Sequence, residues 1–191
     1  MKVGLYFGTF NPIHNGHLII ANYILQYAKL DQVWMVVSPQ NPFKQNHSLL
    51  NEYHRLFLVQ QALEGETKIR AVDIEFGLPK PSYTINTLTY LQEKYPEHEF
   101  GVIMGSDSLQ NLDRWKNAEV IIKNFPLYIY ERQGYPLRDD LDDAMIIDMK
   151  APLLNISSSL IRRMLKEGKS IRYLVPKKVE EFIVKNKLYQ K

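Results

Sequence analysis

The sequence predicts an α/β fold, with a doubly wound, mostly parallel sheet of about six strands and helices on both faces. Two observations support this. Short continuous apolar runs alternate with longer segments of helical spacing, and several of the runs are apolar on both faces, as buried parallel strands are. The 191 residues suit one domain with a substantial core. We therefore expect a single domain over 1–191.

Six apolar runs have the length and composition of strands. They lie at 2–7, 32–38, 68–74, 100–104, 127–130 and 145–148. Helical spacing is found at 16–29, 52–64, 84–94 and 116–123, with a short turn from Ser106. Two more helices close the chain. One runs from near Ser157 to a stop at Gly168, and the other starts at Pro176, a favoured first helical residue.

Three connecting segments lack such periodicity. Residues 77–82 read Gly-Leu-Pro-Lys-Pro-Ser and run into a helix, which predicts a substrate loop with Ser82 as the helix cap. Residues 134–143 are acidic and rich in turn residues, which is typical of a solvated surface connection. The polar segment 40–47 is a candidate for closure over a bound ligand.

Composition excludes several classes of function. The chain has no cysteine, so disulfides, thiolate nucleophiles and cysteine-ligated metals are excluded and a cytoplasmic location is expected. The formal charge of +3 is spread thinly, which argues against a nucleic-acid groove. No signal peptide is visible, and no apolar run approaches the roughly 18 residues of a membrane span. We expect neither nucleic acid nor membrane as a partner, and homo-oligomerisation stays open.

The most informative segment, 8–17, follows the first predicted strand and reads Gly-Thr-Phe-Asn-Pro-Ile-His-Asn-Gly-His. Gly8 and Gly16 allow close backbone approach, and a helix start offers N–H groups to an anion. His14 and His17 project to the same side of that helix. A phosphate there would meet backbone donors and two imidazoles, which are the groups that phosphoryl transfer requires.

Other interpretations of the paired histidines are weaker. A zinc site would need further ligands, and of the remaining histidines only His54 falls on a predicted helix. No G-x-G-x-x-G follows a strand, which argues against a dinucleotide-binding dehydrogenase. No G-x-x-x-x-G-K-[ST] is present, which argues against a Walker-type NTPase. The pair instead has the form H-x-G-H.

A second cluster, 156–162, reads Ile-Ser-Ser-Ser-Leu-Ile-Arg. Three serines at a helix start supply hydroxyl and backbone donors, and Arg162 lies one turn inside. By itself this pattern also fits a serine-capped helix with a solvated arginine. Beside the histidine segment it indicates a second phosphate clamp.

These two segments resemble the signatures of the H-x-G-H nucleotidyltransferase superfamily, which has a Rossmann-like sheet and transfers AMP or CMP from nucleoside triphosphates. The chain as a whole resembles the nicotinate-nucleotide adenylyltransferase family over nearly its full length. The further segments that carry this resemblance are 38–44, Arg55-Leu56, 82–88, 105–108, Trp115-Lys116 and Arg132 with Gly134. The chain departs from the family pattern at Phe7, Asn11 and Ser159.

The resemblance implies transfer of AMP from ATP to nicotinate mononucleotide, giving deamido-NAD and pyrophosphate in NAD biosynthesis. It implies His14 and His17 as catalytic residues. The ATP-binding residues implied are Gly8, Thr9, Phe10, Gly16, Gly105, Asp107, Ile156, Ser157, Ser158 and Arg162. Those implied for nicotinate mononucleotide are Asn11, Lys44, Tyr83, Thr84, Trp115 and Arg132. Mg²⁺ is expected to travel with ATP and not in a protein-built site, and helices over 157–191 to complete the ATP site.

Several of these roles have a physical basis. Thr84 lies in the first turn of a predicted helix, where free N–H groups can bind the nicotinate carboxylate, and Trp115 can stack on the ring. The resemblance assigns Lys44 to the mononucleotide phosphate and Asp107 to a ribose hydroxyl or Mg²⁺. Arg132 follows a strand end and could position phosphate. A lone tryptophan also serves as ordinary packing, and lone cationic side chains are usually solvated.

The expected mechanism is direct in-line attack of the mononucleotide phosphate on the α-phosphorus of ATP. Alternative acceptors are nicotinamide mononucleotide, phosphopantetheine or a phosphorylated alcohol. The carboxylate site predicted at Thr84 and Trp115 argues against the last two and separates nicotinate from nicotinamide only weakly. A non-catalytic nucleotide sensor would not need paired histidines. A fragment related to class I tRNA synthetases would need an anticodon-binding part and a more basic surface.

Overall fold

The computed structural model describes residues 1–40, 49–138 and 145–190. The strands are β1 (Lys2–Gly8), β2 (Gln32–Val37), β3 (Ile69–Val72), β4 (Glu99–Gly105), β5 (Leu127–Tyr130) and β6 (Ile146–Met149). The helices are α1 (Asn15–Tyr27), α2 (Glu52–Ala62), α3 (Thr84–Lys94), α4 (Ser106–Leu109), α5 (Ala118–Asn124), α6 (Ser158–Lys166) and α7 (Lys177–Lys185). Short 3-10 turns occur at Ile74–Gly77 and Leu112–Arg114. None of the helices in these ranges is both long and apolar enough to span a membrane.

The six strands form one sheet in the order β3-β2-β1-β4-β5-β6, and every neighbouring pair is parallel. The first three strands therefore run from the middle of the sheet to one edge. The chain then returns to the middle, and β4, β5 and β6 run to the other edge. The order reverses between β1 and β4, and in such sheets ligands bind beyond the carboxyl ends of the strands at that reversal. Here those ends are Gly8 and Gly105. The predicted fold class is confirmed.

Two apolar layers cover the sheet. One lies between the sheet and α1, α2, α6 and α7, and the other between the sheet and α3, α5 and the segment around Leu109 and Leu112. On β2 the side chains alternate between the layers, with Met35 in the first and Trp34 and Val36 in the second. This alternation explains why the strand is continuously apolar, since both of its faces are buried.

Some predicted boundaries shift for local reasons. The strand predicted at 68–74 ends at Val72 because a 3-10 turn begins at Ile74 and buries Glu75. The helix predicted at 116–123 begins at Ala118, after Asn117 adopts a φ of 51°. The predicted cap at Ser82 is wrong. Tyr83 occupies the cap position of α3 without a side-chain hydrogen bond, because the Ser82 side chain is turned inward. Of the predicted closing segment 40–47 and the acidic segment 134–143, residues 41–47 and 139–143 lie outside the described residues.

Candidate active site

Three adjoining cavities open at the carboxyl ends of β1 and β4. The α1 cavity, of about 200 Å³, lies between the start of α1 and residues 152–157. The α3 cavity, of about 190 Å³, lies between the start of α3 and Trp115. The α6 cavity, of about 320 Å³, lies between residues 8–11 and the start of α6. Each is at or below the lower end of the range for small-molecule sites, about 300 Å³, so a nucleotide has to span more than one of them.

His14 and His17 lie between the α1 and α6 cavities and line both. His14 caps α1, and its Nδ1 accepts the backbone N–H of His17 at 3.3 Å. The Nδ1 of His17 accepts the backbone N–H of His14, also at 3.3 Å. The two rings stack with centroids 3.6 Å apart. Because both Nδ1 atoms accept hydrogen bonds, the proton of each neutral ring is assigned to Nε2.

The charge state of His14 follows from its surroundings. The side chain is only 3% exposed. Burial lowers the pKa of His14 to about 4, and the positive charge of Arg132 contributes to this lowering. His14 is therefore a neutral hydrogen-bond donor at neutral pH. A bound polyphosphate would raise the pKa of His14 by adding negative charge nearby.

The two glycines of the motif are required by side-chain packing. A Cβ on Gly16 would lie 3.0 Å from Nδ1 of His14, and a Cβ on Gly8 would lie 2.9 Å from the ring of Phe10. Phe10 has a φ of 44° and is buried, with its ring centroid 5.0 Å from that of His17. Gly16 therefore makes room for the His14 ring itself, and Gly8 for the Phe10 ring that packs against His17.

The start of α6 is tied directly to the histidine segment. The Ser157 hydroxyl caps the helix by accepting the N–H of Leu160 at 3.2 Å. The Ser158 hydroxyl donates to the Pro12 carbonyl at 2.9 Å, and Arg162 donates to the Asn11 carbonyl at 2.7 Å. The serine hydroxyls are thus partly used within the protein. What this helix offers to a ligand in the α6 cavity is its first-turn N–H groups and the Arg162 guanidinium. Ile156 and Gly16 line the neighbouring α1 cavity.

The α3 cavity brings together Tyr83, Thr84 and Trp115, as the sequence predicts for one subsite. Thr84 is the first residue of α3, whose first-turn N–H groups have no acceptor within the helix. The Lys116 ammonium stands 5.0 Å from the Tyr83 ring centroid, which adds positive charge at the mouth of this cavity. Gly8 and Thr9 line both the α3 and the α6 cavities.

Asp107 lies between the α3 and α6 cavities. It lines both cavities. Its carboxylate packs closely against Gly105, which lines the α3 cavity, because a Cβ on Gly105 would lie only 2.5 Å from a carboxylate oxygen of Asp107. Asp107 pairs with Arg132 at 3.4 Å, and the side chains of both partners remain partly exposed.

Two of the other residues predicted for the mononucleotide, Asn11 and Arg132, do not line the α3 cavity. Asn11 is buried beside the α6 cavity, and its side-chain oxygen accepts from the N–H of Leu50 at 3.2 Å and the Tyr189 hydroxyl at 2.7 Å. Arg132 lines the α1 and α6 cavities. Lys44 lies outside the described residues.

Arg55 is fully buried, and only the family resemblance singles it out in the sequence. Its guanidinium donates to four backbone carbonyl oxygens. These are the carbonyls of Thr9 at 2.6 Å, Ser38 and Leu50 at 2.8 Å, and Pro39 at 3.1 Å. Arg55 thus joins the loops after β1 and β2 to the start of α2. Its sequence signal is its place on the buried stripe of α2 with Leu58 and Val59.

Glu75 is a buried carboxyl at the α3 cavity that sequence reasoning missed, and it is 2% exposed. The Thr87 hydroxyl donates to its Oε1 at 2.8 Å, while its Oε2 makes no hydrogen bond of ordinary geometry among the described residues. Burial raises the pKa of Glu75, against the smaller lowering effect of the hydroxyls of Thr87, Ser38 and Ser82. No local pattern marks it, because it follows an edge strand in an irregular turn.

Sequence reasoning also missed most of the α1 cavity. Its apolar wall comes from Ile20, Leu153 and Leu154, which carry no recognisable motif. Their only signal is that residues 152–155 directly precede the serine cluster. Within residues 1–40, 49–138 and 145–190, no group of three or more His, Asp or Glu side chains could hold a metal ion.

Comparison with known proteins shows which family this chain resembles. The cytidylyltransferase-like family matches residues 5–164. A protein of Flavobacterium johnsoniae is 52% identical over 100% of both chains, and one of Cytophaga hutchinsonii is 52% identical over 99% of this chain and 98% of its own. Both bear the name probable nicotinate-nucleotide adenylyltransferase.

The fold has a counterpart among solved structures. The Plasmodium falciparum nicotinic acid mononucleotide adenylyltransferase in complex with NaAD has a TM-score of 0.83 and 22% identity, covering 98% of this chain and 97% of that one. The same enzyme in complex with APC gives a TM-score of 0.81 over 98% of this chain and 96% of that one, again at 22% identity. At this identity the likeness concerns the fold.

Proposed function

Because this chain belongs to the cytidylyltransferase-like family and, within it, to the nicotinate-nucleotide adenylyltransferases, we propose that it joins ATP and nicotinate mononucleotide to give deamido-NAD and pyrophosphate. This reaction is adenylyl transfer in NAD biosynthesis. The observation that carries the proposal is the stacked pair His14 and His17, which lies between two cavities beside the reversal of strand order. The cysteine-free sequence supports a cytoplasmic location.

The three cavities suit the parts of two nucleotide substrates. The apolar wall of the α1 cavity, with Ile20 and Leu154, suits the adenosine of ATP. The first turn of α6 and Arg162 suit its phosphates, because both supply hydrogen-bond donors and positive charge. Trp115 and the first turn of α3 suit the nicotinate ring and its carboxylate.

We assign the chemistry to positioning and charge stabilisation. An oxygen of the mononucleotide phosphate attacks the α-phosphorus in line, the bond from that phosphorus to the bridging oxygen of the β-phosphate breaks, and pyrophosphate leaves. The attacking phosphate is already ionised, so no general base is needed. His14 and His17 donate hydrogen bonds to the α-phosphate, while Ser157, Ser158 and Arg162 hold the β- and γ-phosphates through the start of α6. Losing one such donor costs on the order of 10²–10³ in rate.

The residues fit a Mg²⁺ ion that arrives with ATP. The described part of the chain has no cluster of carboxylates and histidines for a dedicated site. Mg²⁺ keeps several waters and binds substrate phosphates readily, so one nearby carboxylate is enough. Asp107, between the α3 and α6 cavities, is the carboxylate that would hold it. The ion would offset charge on the triphosphate.

The C-terminal helices belong to the same functional unit in this proposal. The start of α6 lines the α6 cavity, and the Tyr189 hydroxyl, beyond α7, donates to Asn11 at 2.7 Å. These contacts support one domain in which residues 157–191 complete the ATP site. A shortened chain that ends just before Ser157, and so lacks residues 157–191, should therefore fail to bind ATP.

The decisive experiment measures pyrophosphate release from ATP and Mg²⁺ with nicotinate mononucleotide, nicotinamide mononucleotide or phosphopantetheine as acceptor. We expect release to depend on nicotinate mononucleotide and the second product to be deamido-NAD. Release with phosphopantetheine alone would overturn the assignment of the α3 cavity. If none of the three acceptors supports pyrophosphate release, the proposed transfer is overturned.

A further inference from the structure

The three cavities meet over a pair of buried tyrosines. Among the described residues, Tyr6 and Tyr130 alone line the α1, α3 and α6 cavities together. Tyr6 lies in β1 and Tyr130 ends β5, and their hydroxyl oxygens are 3.0 Å apart. Their rings meet edge to face with centroids 6.0 Å apart. The pair therefore forms a shared floor under the junction of the cavities.

The proposed reaction requires one atom to lie at such a junction. The α-phosphorus is bonded to the adenosine, to the leaving pyrophosphate and, in the transition state, to the attacking mononucleotide phosphate. The adenosine and the leaving pyrophosphate are assigned above to the α1 and α6 cavities, and the nicotinate end of the attacking mononucleotide is assigned to the α3 cavity. The reacting phosphate must then lie where the cavities meet, which is over Tyr6 and Tyr130. This step rests on the proposed function.

The hydroxyl pair has one proton to give. Burial raises the pKa of both phenols, so both keep their protons at neutral pH. One proton is used in the bond between the two oxygens, and the other is left for a ligand. Burial is the larger effect on the pKa of Tyr130, and the guanidinium of Arg132, 5.8 Å from the Tyr130 ring centroid, partly offsets it and so strengthens the hydroxyl as a donor. An anionic phosphate oxygen is its best acceptor.

We propose that the Tyr130 hydroxyl donates a hydrogen bond to a non-bridging oxygen of the ATP α-phosphate, while Tyr6 donates in turn to Tyr130. The resulting chain runs from Tyr6 through Tyr130 to the phosphate, and each bond polarises the next. It adds a neutral donor from the sheet to the imidazole donors of α1. Tyr130 is then a catalytic residue, and Tyr6 positions it.

The test compares Tyr130→Phe with wild type, using ATP and each diastereomer of ATP that carries sulfur on the α-phosphate. We expect kcat with ATP to fall on the order of ten- to hundredfold, with little change in either KM, since a hydrogen bond to a charged group is lost. In one diastereomer sulfur replaces the oxygen that Tyr130 contacts, and with that substrate the kcat of Tyr130→Phe should lie within about twofold of the wild-type kcat. The difference disappears because sulfur is a poor acceptor, so wild type has no hydrogen bond there to lose. Tyr6→Phe should lose several-fold, and the double variant should be no slower than Tyr130→Phe.

Tyr128→Phe is the matched control, because Tyr128 lies on the same strand, is also buried, and lines none of the three cavities. It should keep wild-type turnover. An equal loss with ATP and both diastereomers, or an effect only on KM, would overturn the proposal while leaving the proposed function intact. If Tyr130→Phe fails to fold, the same diastereomer dependence is read in Tyr6→Phe. Absence of wild-type product from ATP and nicotinate mononucleotide would instead overturn the proposed function, and this assignment with it.

Discussion

His14 and His17 cap each other, since the Nδ1 atom of each ring accepts the backbone N–H of the other at 3.3 Å. A capping box normally joins a serine or threonine to a glutamate and serves only to start a helix. Here the same arrangement starts α1 and also fixes the tautomer of two imidazoles. Helix initiation and the orientation of the proposed catalytic groups are thus one structural feature.

Replacing His17 by alanine should lower kcat on the order of 10²–10³, because one donor to the transferring phosphate is lost. The melting temperature should change little, since His14 still caps the helix. Steady-state pyrophosphate release measures the effect. His54→Ala is the control, because His54 is exposed on α2 and lines none of the three cavities. Unchanged turnover in His17→Ala would contradict the proposed mechanism.

The buried, neutral state of His14 predicts a pH-dependent stability. Its pKa is lowered to about 4 in the folded protein, while an unfolded histidine has a pKa of about 6.5. As pH falls through this window, the unfolded chain takes up a proton that the folded protein does not, so the free energy of unfolding falls. The slope from this group fades about one unit above pH 6.5, where the unfolded histidine is no longer protonated either. Between about pH 7 and pH 5 the loss should be about 2 kcal/mol.

Urea unfolding of wild type and His14→Asn at both pH values isolates this contribution. Asparagine is a good helix cap and does not titrate, so the variant should retain α1 and lack this part of the pH slope. All other titrating groups are common to the two proteins and cancel in the difference. Parallel slopes for the two proteins would show that His14 titrates normally.

Gly16→Ala should separate activity from stability. Alanine is the better helix former, but its Cβ would lie 3.0 Å from Nδ1 of His14 and would press against the ring. We expect kcat to fall on the order of ten- to a hundredfold as the imidazole is displaced, with the melting temperature roughly kept. Gly77→Ala provides the control, since a Cβ there meets nothing within 4 Å. Full activity in Gly16→Ala would mean that the position of His14 is not critical.

Most of what the sequence predicts correctly is local. The strands and the helices are each encoded within a few neighbouring residues, and the H-x-G-H segment and the serine cluster, whose roles stay predictions, are recognised in the same way. What it misses depends on contacts between distant residues. Tyr6 and Tyr130 are 124 residues apart, and Asn11 and Tyr189 are 178 apart, so no window of sequence shows that they meet. The cap at Ser82 was mispredicted for the same reason, because its side chain turns inward toward the buried Glu75.

Glu75→Gln should become more stabilising, relative to wild type, as pH rises. The pKa of Glu75 is raised by burial above its ordinary value, so the wild-type side chain contributes most when protonated, and that contribution is lost as pH rises through the folded pKa. Glutamine keeps the shape and never ionises. Glu52→Gln is the contrasting control: the hydrogen bond with Lys80 lowers the pKa of Glu52, so the stability difference between Glu52→Gln and wild type should stay constant above about pH 5. Thermal unfolding between about pH 5 and pH 8 distinguishes these trends, and a constant difference for Glu75→Gln would contradict the prediction.

Arg55→Lys should weaken both the fold and the binding of substrates. Lysine keeps the charge but cannot reach the four carbonyls that the guanidinium joins, so several buried acceptors lose their donor. We expect the free energy of unfolding to drop by about 3 kcal/mol, the magnitude for breaking a buried charged network. The KM for both substrates should rise, because the loop carrying Thr9 and the loop carrying Ser38 line the α3 cavity and would no longer be held together. Arg163→Lys, an exposed change on α6, should alter neither quantity. Equal stability of Arg55→Lys and wild type would show that the carbonyls find other donors, and that the two loops are held by the sheet alone.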